Sequence, residues 1–188
     1  MRLVRLAGVL TSVAVMSCEH PAAPSVDPRL QRTVLSEADQ EESGVSGAGQ
    51  YSLNGLIVTF EFEAEGGKGI QGKGEFEVFA DEGGGLTVDF EAKVTCVSFD
   101  PVNHRAWIGG VVKENNSTDP SLQAAIHQKG RDIWFRVLDD PSGDRSTFVG
   151  FEGAAGFITS ADYCSGQPWP ADNARTWPVV SGGITIRP

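Results

Sequence analysis

The chain has 188 residues, 40% of them hydrophobic, and its 25 acidic against 15 basic side chains give a formal charge of −10. Such an acidic balance argues against nucleic acid and anionic lipid headgroups as electrostatic partners. The histidines, His20, His104 and His127, and the cysteines, Cys18, Cys96 and Cys164, stand singly along the chain, so the sequence indicates no metal centre and no cofactor.

At the start, Arg2 and Arg5 flank an apolar run from Leu6 to Met16 that is too short to span a bilayer but suits a secretory signal. Val15-Met16-Ser17-Cys18 closes that run. The stretch resembles the lipobox of bacterial lipoproteins, with Val15 at the branched apolar position, Ser17 before the cut and Cys18 as the acylated residue, while Met16 departs from the pattern. The resemblance implies a signal peptide over residues 1–17 and an exported chain held to a bacterial membrane by acyl chains on Cys18. The outer membrane is the preferred destination, because Glu19 stands where an aspartate is associated with inner-membrane retention. Losing Arg2 and Arg5 takes the formal charge from −10 to −12, so acyl chains and not a basic patch supply the attachment. With Cys18 assigned to lipid, Cys96 and Cys164 remain as the one intramolecular pair, and an oxidising compartment favours a disulfide over two buried thiols. Residues 18–46 read as a disordered acidic tether, with Pro21, Pro24 and Pro28 followed by Glu37, Asp39, Glu41 and Glu42.

From residue 47 to 188 the pattern is that of a single antiparallel β-domain. Val58, Phe60, Phe62 and Ala64 alternate with Thr59, Glu61, Glu63 and Glu65, and a glycine-rich turn leads to a second alternating run over Gly72–Val78. The two runs form a hairpin across which Lys73 faces a glutamate. The longest run places Leu86, Val88, Phe90, Ala92, Val94 and Cys96 on one face, which turns Cys96 inward. Further strands fall at Ala106–Val112, Ile133–Val137, around Phe148 and at Ile184–Ile186. A short connecting helix is expected over Asp119–Gln128, with Asp119 as cap, Pro120 in the first turn and Gly130 as the stop. Glycines at Gly72, Gly74, Gly109 and Gly110 favour curvature. The expected fold is all-β, an antiparallel barrel or barrel-like sandwich of about seven or eight strands, closed if the last strand pairs with the first.

Chemical motifs are sparse. Gly67-Lys68-Gly69-Ile70-Gln71-Gly72-Lys73-Gly74 mimics a phosphate loop but leads into a strand, whereas phosphate capture requires a helix N-terminus. Asp139, Asp140 and Asp144 are weak calcium candidates in what is also ordinary turn chemistry. Glu61, Glu63, Asp89 and Glu91 share a wet face without a cleft-forming insertion. Trp107 and Trp134 fall opposite the inward residues of their strands. Together with Trp169 and Trp177, in the long loop before the last strand, they either pack under that loop or form a binding surface for a protein or carbohydrate.

Val94-Thr95-Cys96, Arg105-Ala106-Trp107-Ile108-Gly109-Gly110-Val111, Ile133-Trp134-Phe135-Arg136-Val137 and Asp162-Tyr163-Cys164 together resemble an uncharacterised family of small secreted bacterial β-domains. The resemblance implies a shared β-fold and a matching cysteine pair, and no activity. The leading expectation is a cell-envelope lipoprotein whose disulfide-bonded β-domain serves in binding or envelope interaction without catalysis. Two rivals are a small hydrolase or isomerase using carboxylates with His104 or His127 at a barrel mouth, and a carrier of small hydrophobic ligands in a barrel cavity.

Overall fold

The computed structural model describes residues 43–67, 69–150, 152–153 and 156–188. Cys18 and the tether as far as Glu42 lie outside the described residues. The alternating runs become strands β1 (Gly44–Leu53), β2 (Leu56–Gly66), β3 (Gly72–Gly83), β4 (Leu86–Asp100), β5 (Arg105–Asn115), β6 (Asp132–Leu138), β7 (Arg145–Ser146) and β8 (Trp177–Arg187), with one helix, α1 (Ser160–Gly166). The strands pair antiparallel in chain order, and β8 returns to β1 to close a barrel. Val45 faces Ile186 and Gly47 faces Ile184 across the closing pair. The first hairpin turns at Asn54 and Gly55, whose φ values of 52° and 92° are those a two-residue turn needs to match the twist of its strands.

The inward faces fill the barrel. Val58, Phe60 and Phe62 of β2, Phe76 and Val78 of β3, Val88, Phe90 and Val94 of β4, Ile108 of β5 and Phe135 of β6 are all buried in one cluster. Phe135 sits at its centre, edge-on to Phe62 at 5.4 Å and to Phe76 at 5.0 Å. Each such ring contributes about 1.5–3 kcal/mol by leaving water. The buried Tyr51 hydroxyl accepts a hydrogen bond from the Val149 N–H at 3.0 Å, and burial pushes its ionisation well above the usual phenol range. Gly74 shows why glycine interrupts β3. Its φ is +136°, and a Cβ there would fall 1.9 Å from the Glu63 carbonyl oxygen, so the backbone bends closely past β2 only without a side chain.

The structure corrects several expectations. Cys96 does not face the barrel interior. Val94 opposes Gly110 and Cys96 opposes Gly109, so Thr95 is an extra residue in β4, a β-bulge that reverses the side-chain phase. Cys96 therefore points outward and Val97 takes the inward position, in the main core. The outward Cys96 is covered by α1, an element the sequence reading missed, and it is disulfide-bonded to Cys164 of that helix. Around the bridge lies a second apolar cluster of Cys96, Trp107, Tyr163 and Cys164, flanked by Ile70, Trp134 and Phe157. The helix is held by a Thr159–Asp162 capping box and by Asp132 of β6, which accepts from the Ser160 N–H at 2.9 Å and hydroxyl at 2.6 Å. Gly109 makes the close approach possible, since a Cβ there would meet Cys96 Sγ at 2.6 Å and Ser160 Cβ at 2.7 Å.

Asp119–Gln128 is two short 3-10 turns, Pro120–Gln123 and Ala125–His127, and not an α-helix. Asp119 caps as expected, but Ala124 is extended, with ψ at 152°, and Asn115 draws in the Leu122 and His127 carbonyls, which fixes the break. The strand expected around Phe148 shrinks to the two residues of β7, and Phe148 lies in the bend beyond it. Trp177-Pro178, expected in a loop, begins β8.

The seam between β7 and β8 has only two backbone pairs. A main-chain bond from the Val179 N–H to the Asp144 carbonyl at 2.8 Å extends it, and side chains add to it, because the Asp144 carboxylate accepts from the Ile184 N–H at 2.7 Å and the Asp139 carboxylate from the Ile186 N–H at 3.1 Å.

The bridge closes a sequence separation of 68 residues, and cross-linking a loop of that size stabilises by about 4 kcal/mol in the chain-entropy model. Replacing both Cys96 and Cys164 by alanine is expected to lower unfolding free energy by about 2–5 kcal/mol, measured by urea denaturation, with non-reduced peptide mapping of the parent showing the 96–164 linkage.

Candidate functional site

The outer face of the barrel divides into a covered and a bare part. Over β4, β5 and β6 lie α1 and segment 167–176. Over β8, β1, β2 and β3 lies nothing described, and there the outward side chains set a groove of about 640 Å³. Its floor is made of small residues, Ser46, Ala48 and Gly183 with Thr185, and its wall of Glu61, Glu63, Glu75 and Glu77. Past Ala48, Glu61 and Glu77 the groove continues as a hollow of about 540 Å³ reaching Gln50, Thr59, Phe79, Asp89 and Glu91.

Register concentrates the charge. Glu61 opposes Glu77 across β2 and β3, Glu77 opposes Glu91 across β3 and β4, and Glu63 opposes Glu75. Like charges directly opposite one another destabilise a sheet. Compensation is partial. Lys73 reaches Glu65 at 2.6 Å, the expected cross-hairpin pair, and Lys113 bonds Glu91 and approaches Glu75 at 3.5 Å. Among the described residues no ion pair reaches Glu61, Glu63 or Glu77. At the far end of the same face Ile57 and Phe79 are each 47% exposed and Val180 62%, an apolar margin beside the acidic wall.

The four tryptophans do not converge on one surface. Trp107 is fully buried beneath α1, its Nε1 donating to the Pro168 carbonyl at 2.9 Å, so it lines no open face. Trp134 is half-buried, stacked on Tyr163 at 5.7 Å, and borders a hollow of about 490 Å³ with Ile126 and Ile158. The Trp169 ring lies against Arg136 and Arg175, at 5.7 and 4.5 Å. Trp177 packs on Tyr51 at the edge of the main core. Packing under the following segment thus accounts for Trp107, and only Trp134, Trp169 and Trp177 retain partial exposure.

The acidic turn is likewise put to structural use. Asp139 and Asp144 seal the β8 seam, while Asp140 accepts from the Ser142 N–H and hydroxyl at 2.8 and 2.7 Å, bonds that hold its carboxyl below the usual range. Among the described residues no three His, Cys, Asp or Glu side chains gather in a metal-binding arrangement. His104 is exposed in the turn before β5, and its carbonyl accepts from the Asp139 N–H just beyond β6. His127 lies before β6, ring edge toward Phe90 at 6.3 Å. The two histidines flank opposite ends of β6 and share no site with the groove carboxylates.

Sequence reasoning missed a buried charged cluster. Arg136 of β6, with no exposed side-chain surface, pairs with Glu152 at 3.1 Å. The other Glu152 oxygen accepts from the Tyr163 hydroxyl. Burial pushes the Glu152 carboxyl up from its ordinary value, against the opposing pull of the Tyr163 bond and Arg136. Burial and the neighbouring carboxylate hold the Tyr163 phenol well above its own. No local pattern announces this contact, since Arg136 sits in an alternating strand and Glu152 outside any regular element.

No family model, curated protein or solved structure matched the chain. The physical layout of the site therefore carries the functional argument. Removing one partner of a buried ion pair strands the other, so Glu152→Ala is expected to destabilise the domain by about 3–5 kcal/mol. A thermal melt checks this, with Glu61→Ala, on the open wall, shifting it far less.

Proposed function

We propose that this chain is an exported, lipid-anchored binding module that presents the glutamate-walled groove of β8, β1, β2 and β3 to a basic, partly apolar protein segment. The single observation that carries this reading is the register of Glu61, Glu77 and Glu91 across three strands, with Glu63 opposite Glu75 alongside. Such an arrangement opposes folding and gains its compensation when a cationic partner arrives. The small-residue floor leaves room for a backbone, the wall supplies charge, and Ile57, Phe79 and Val180 offer apolar contact at one end. The interior is packed with aromatic side chains, which favours the exterior over a barrel cavity as the place for a ligand.

The anchoring half of the proposal rests on the lipobox-like Val15–Cys18 stretch, and the Cys96–Cys164 bridge is in keeping with an oxidising destination. Cys18→Ala is expected to move the protein from the membrane to the soluble fraction on cell fractionation, and unchanged detergent partitioning would count against anchoring. Fractionation of inner and outer membranes then reads the destination.

Binding is tested by fluorescence polarisation with a labelled peptide of alternating lysine and leucine. Glu61→Gln with Glu77→Gln is expected to weaken it at least tenfold and flatten its salt dependence. The same double variant is expected to melt at or above the parent temperature, since two opposed charges worth about 0.2–1 kcal/mol per pair are removed. Equal affinity in parent and variant would sink the groove as the binding face.

A further inference from the structure

A second site lies on the covered side of the barrel and goes beyond the groove. Arg105 of β5 and Arg136 of β6 converge there on the segment between α1 and β8. Arg136 donates to the carbonyl oxygens of Trp169 at 2.5 Å, Asp172 at 2.7 Å and Ala174 at 3.0 Å. Arg105 donates to the same Asp172 carbonyl at 2.8 Å and to that of Trp169 at 3.4 Å, with Asn173 Oδ1 at 2.5 Å. Two guanidinium groups thus share two neutral peptide oxygens.

Three observations make this more than a loop clamp. Arg136 and Arg105 are 0% and 5% exposed, and the buried Nε of each has no hydrogen-bond partner among the described residues. Few carboxylates bond them directly. Among the described residues the one carboxylate bonded to the pair is Glu152, on Arg136, whose second oxygen is taken by Tyr163, while the Asp172 side chain turns back to the Ala174 N–H. Burial first, and then the neighbouring Arg136, lower the ionisation of Arg105 against the opposing charges of Asp100, Asp172 and Asp140. Finally, the segment that supplies the carbonyls is bent unfavourably. Gln167, Trp169 and Arg175 have φ values of 41°, 53° and 65°, a left-handed conformation that large side chains seldom adopt.

We propose that Arg105 and Arg136 form an oxyanion site and that segment 167–176 is the plug that occupies it. A carboxylate or phosphate group takes the places of the Trp169 and Asp172 carbonyl oxygens and offers the two arginines charged, multidentate acceptors in exchange for neutral ones. The plug lifts when it does so, relieving the left-handed residues and uncovering the margin of the Trp107 cluster. This site shares no residue with the acidic groove.

The test uses the full mature chain, titrated with sodium phosphate or sodium acetate at ionic strength held constant by sodium chloride. Hydrogen exchange of the peptide covering residues 167–176 is read by mass spectrometry. Phosphate, acetate or both are expected to speed exchange in that peptide at least tenfold, and the more potent anion identifies the ligand class. Two variants are expected to move the half-saturating concentration in opposite directions. Arg105→Gln raises it at least tenfold by removing one guanidinium, and Asp172→Ala lowers it severalfold by removing the turn bond that shapes the plug. Exchange that stays the same in both anions as in matched chloride overturns the proposal, as does an unaltered half-saturation in Arg105→Gln. Should Arg105→Gln fail to fold, the parent titration and the Asp172→Ala shift decide the question, and no shift in the latter overturns the plug.

Discussion

The extra residue in β4 is the constraint on which much of the outer architecture depends. Up to Val94 the strand follows its alternation, and were Thr95 paired regularly the next sulfur would enter a barrel already filled by phenylalanines. The bulge moves Cys96 to the outside instead. There it meets Cys164, the bridge fixes α1 against β4 and β5, and the helix covers Trp107. The segment that leaves α1 then lies over β5 and β6, where Arg105 and Arg136 hold its carbonyls. One inserted residue thus gives this small barrel a second apolar core, on the face opposite its filled interior.

The contrast between the two outer surfaces follows from that arrangement. Where α1 and its following segment lie, outward residues are aromatic or are arginines bonded to main-chain oxygens. Where nothing described lies, small and acidic residues form the groove, with exposed Ile57, Phe79 and Val180 at one end. A sheet face that repels itself gains from a cationic neighbour, and a pair of buried guanidinium groups bonded to peptide oxygens gains from an anion. The two proposed surfaces therefore suit partners of opposite charge.

Much of the barrel was legible in the sequence because its signal has period two. Val58–Ala64, Phe76–Val78 and Leu86–Val94 declare their faces, and Gly183–Ile186 pairs with β1 as its composition suggested. The bulge was illegible because Val94-Thr95-Cys96-Val97 is acceptable in either phase, so that hydrophobicity alone does not reveal a slip. A seven-residue helix gives too few turns for a helical period to emerge, and β7 is two residues of ladder held by tertiary context. The acidic face was visible residue by residue, but its meaning lies in which glutamate opposes which, a matter of register that one strand cannot state. Arg136 and Glu152 meet through an irregular segment. Asp139 and Asp144 read as turn formers, and the structure adds that their carboxylates reach β8.

That last feature bears on how the barrel fails. Six joins of the cylinder are sewn by long main-chain ladders, whereas at the β7–β8 join the carboxylates of Asp139 and Asp144 add to a short backbone pairing. The join is therefore written partly in side chains and can be weakened by them. A chain altered at those aspartates would retain the six long ladders and expose more of the β8 edge, bearing Val179, Ile184 and Ile186, that another molecule's strand can extend. In this protein two acidic side chains thus reinforce the join at which the closed cylinder is most readily opened.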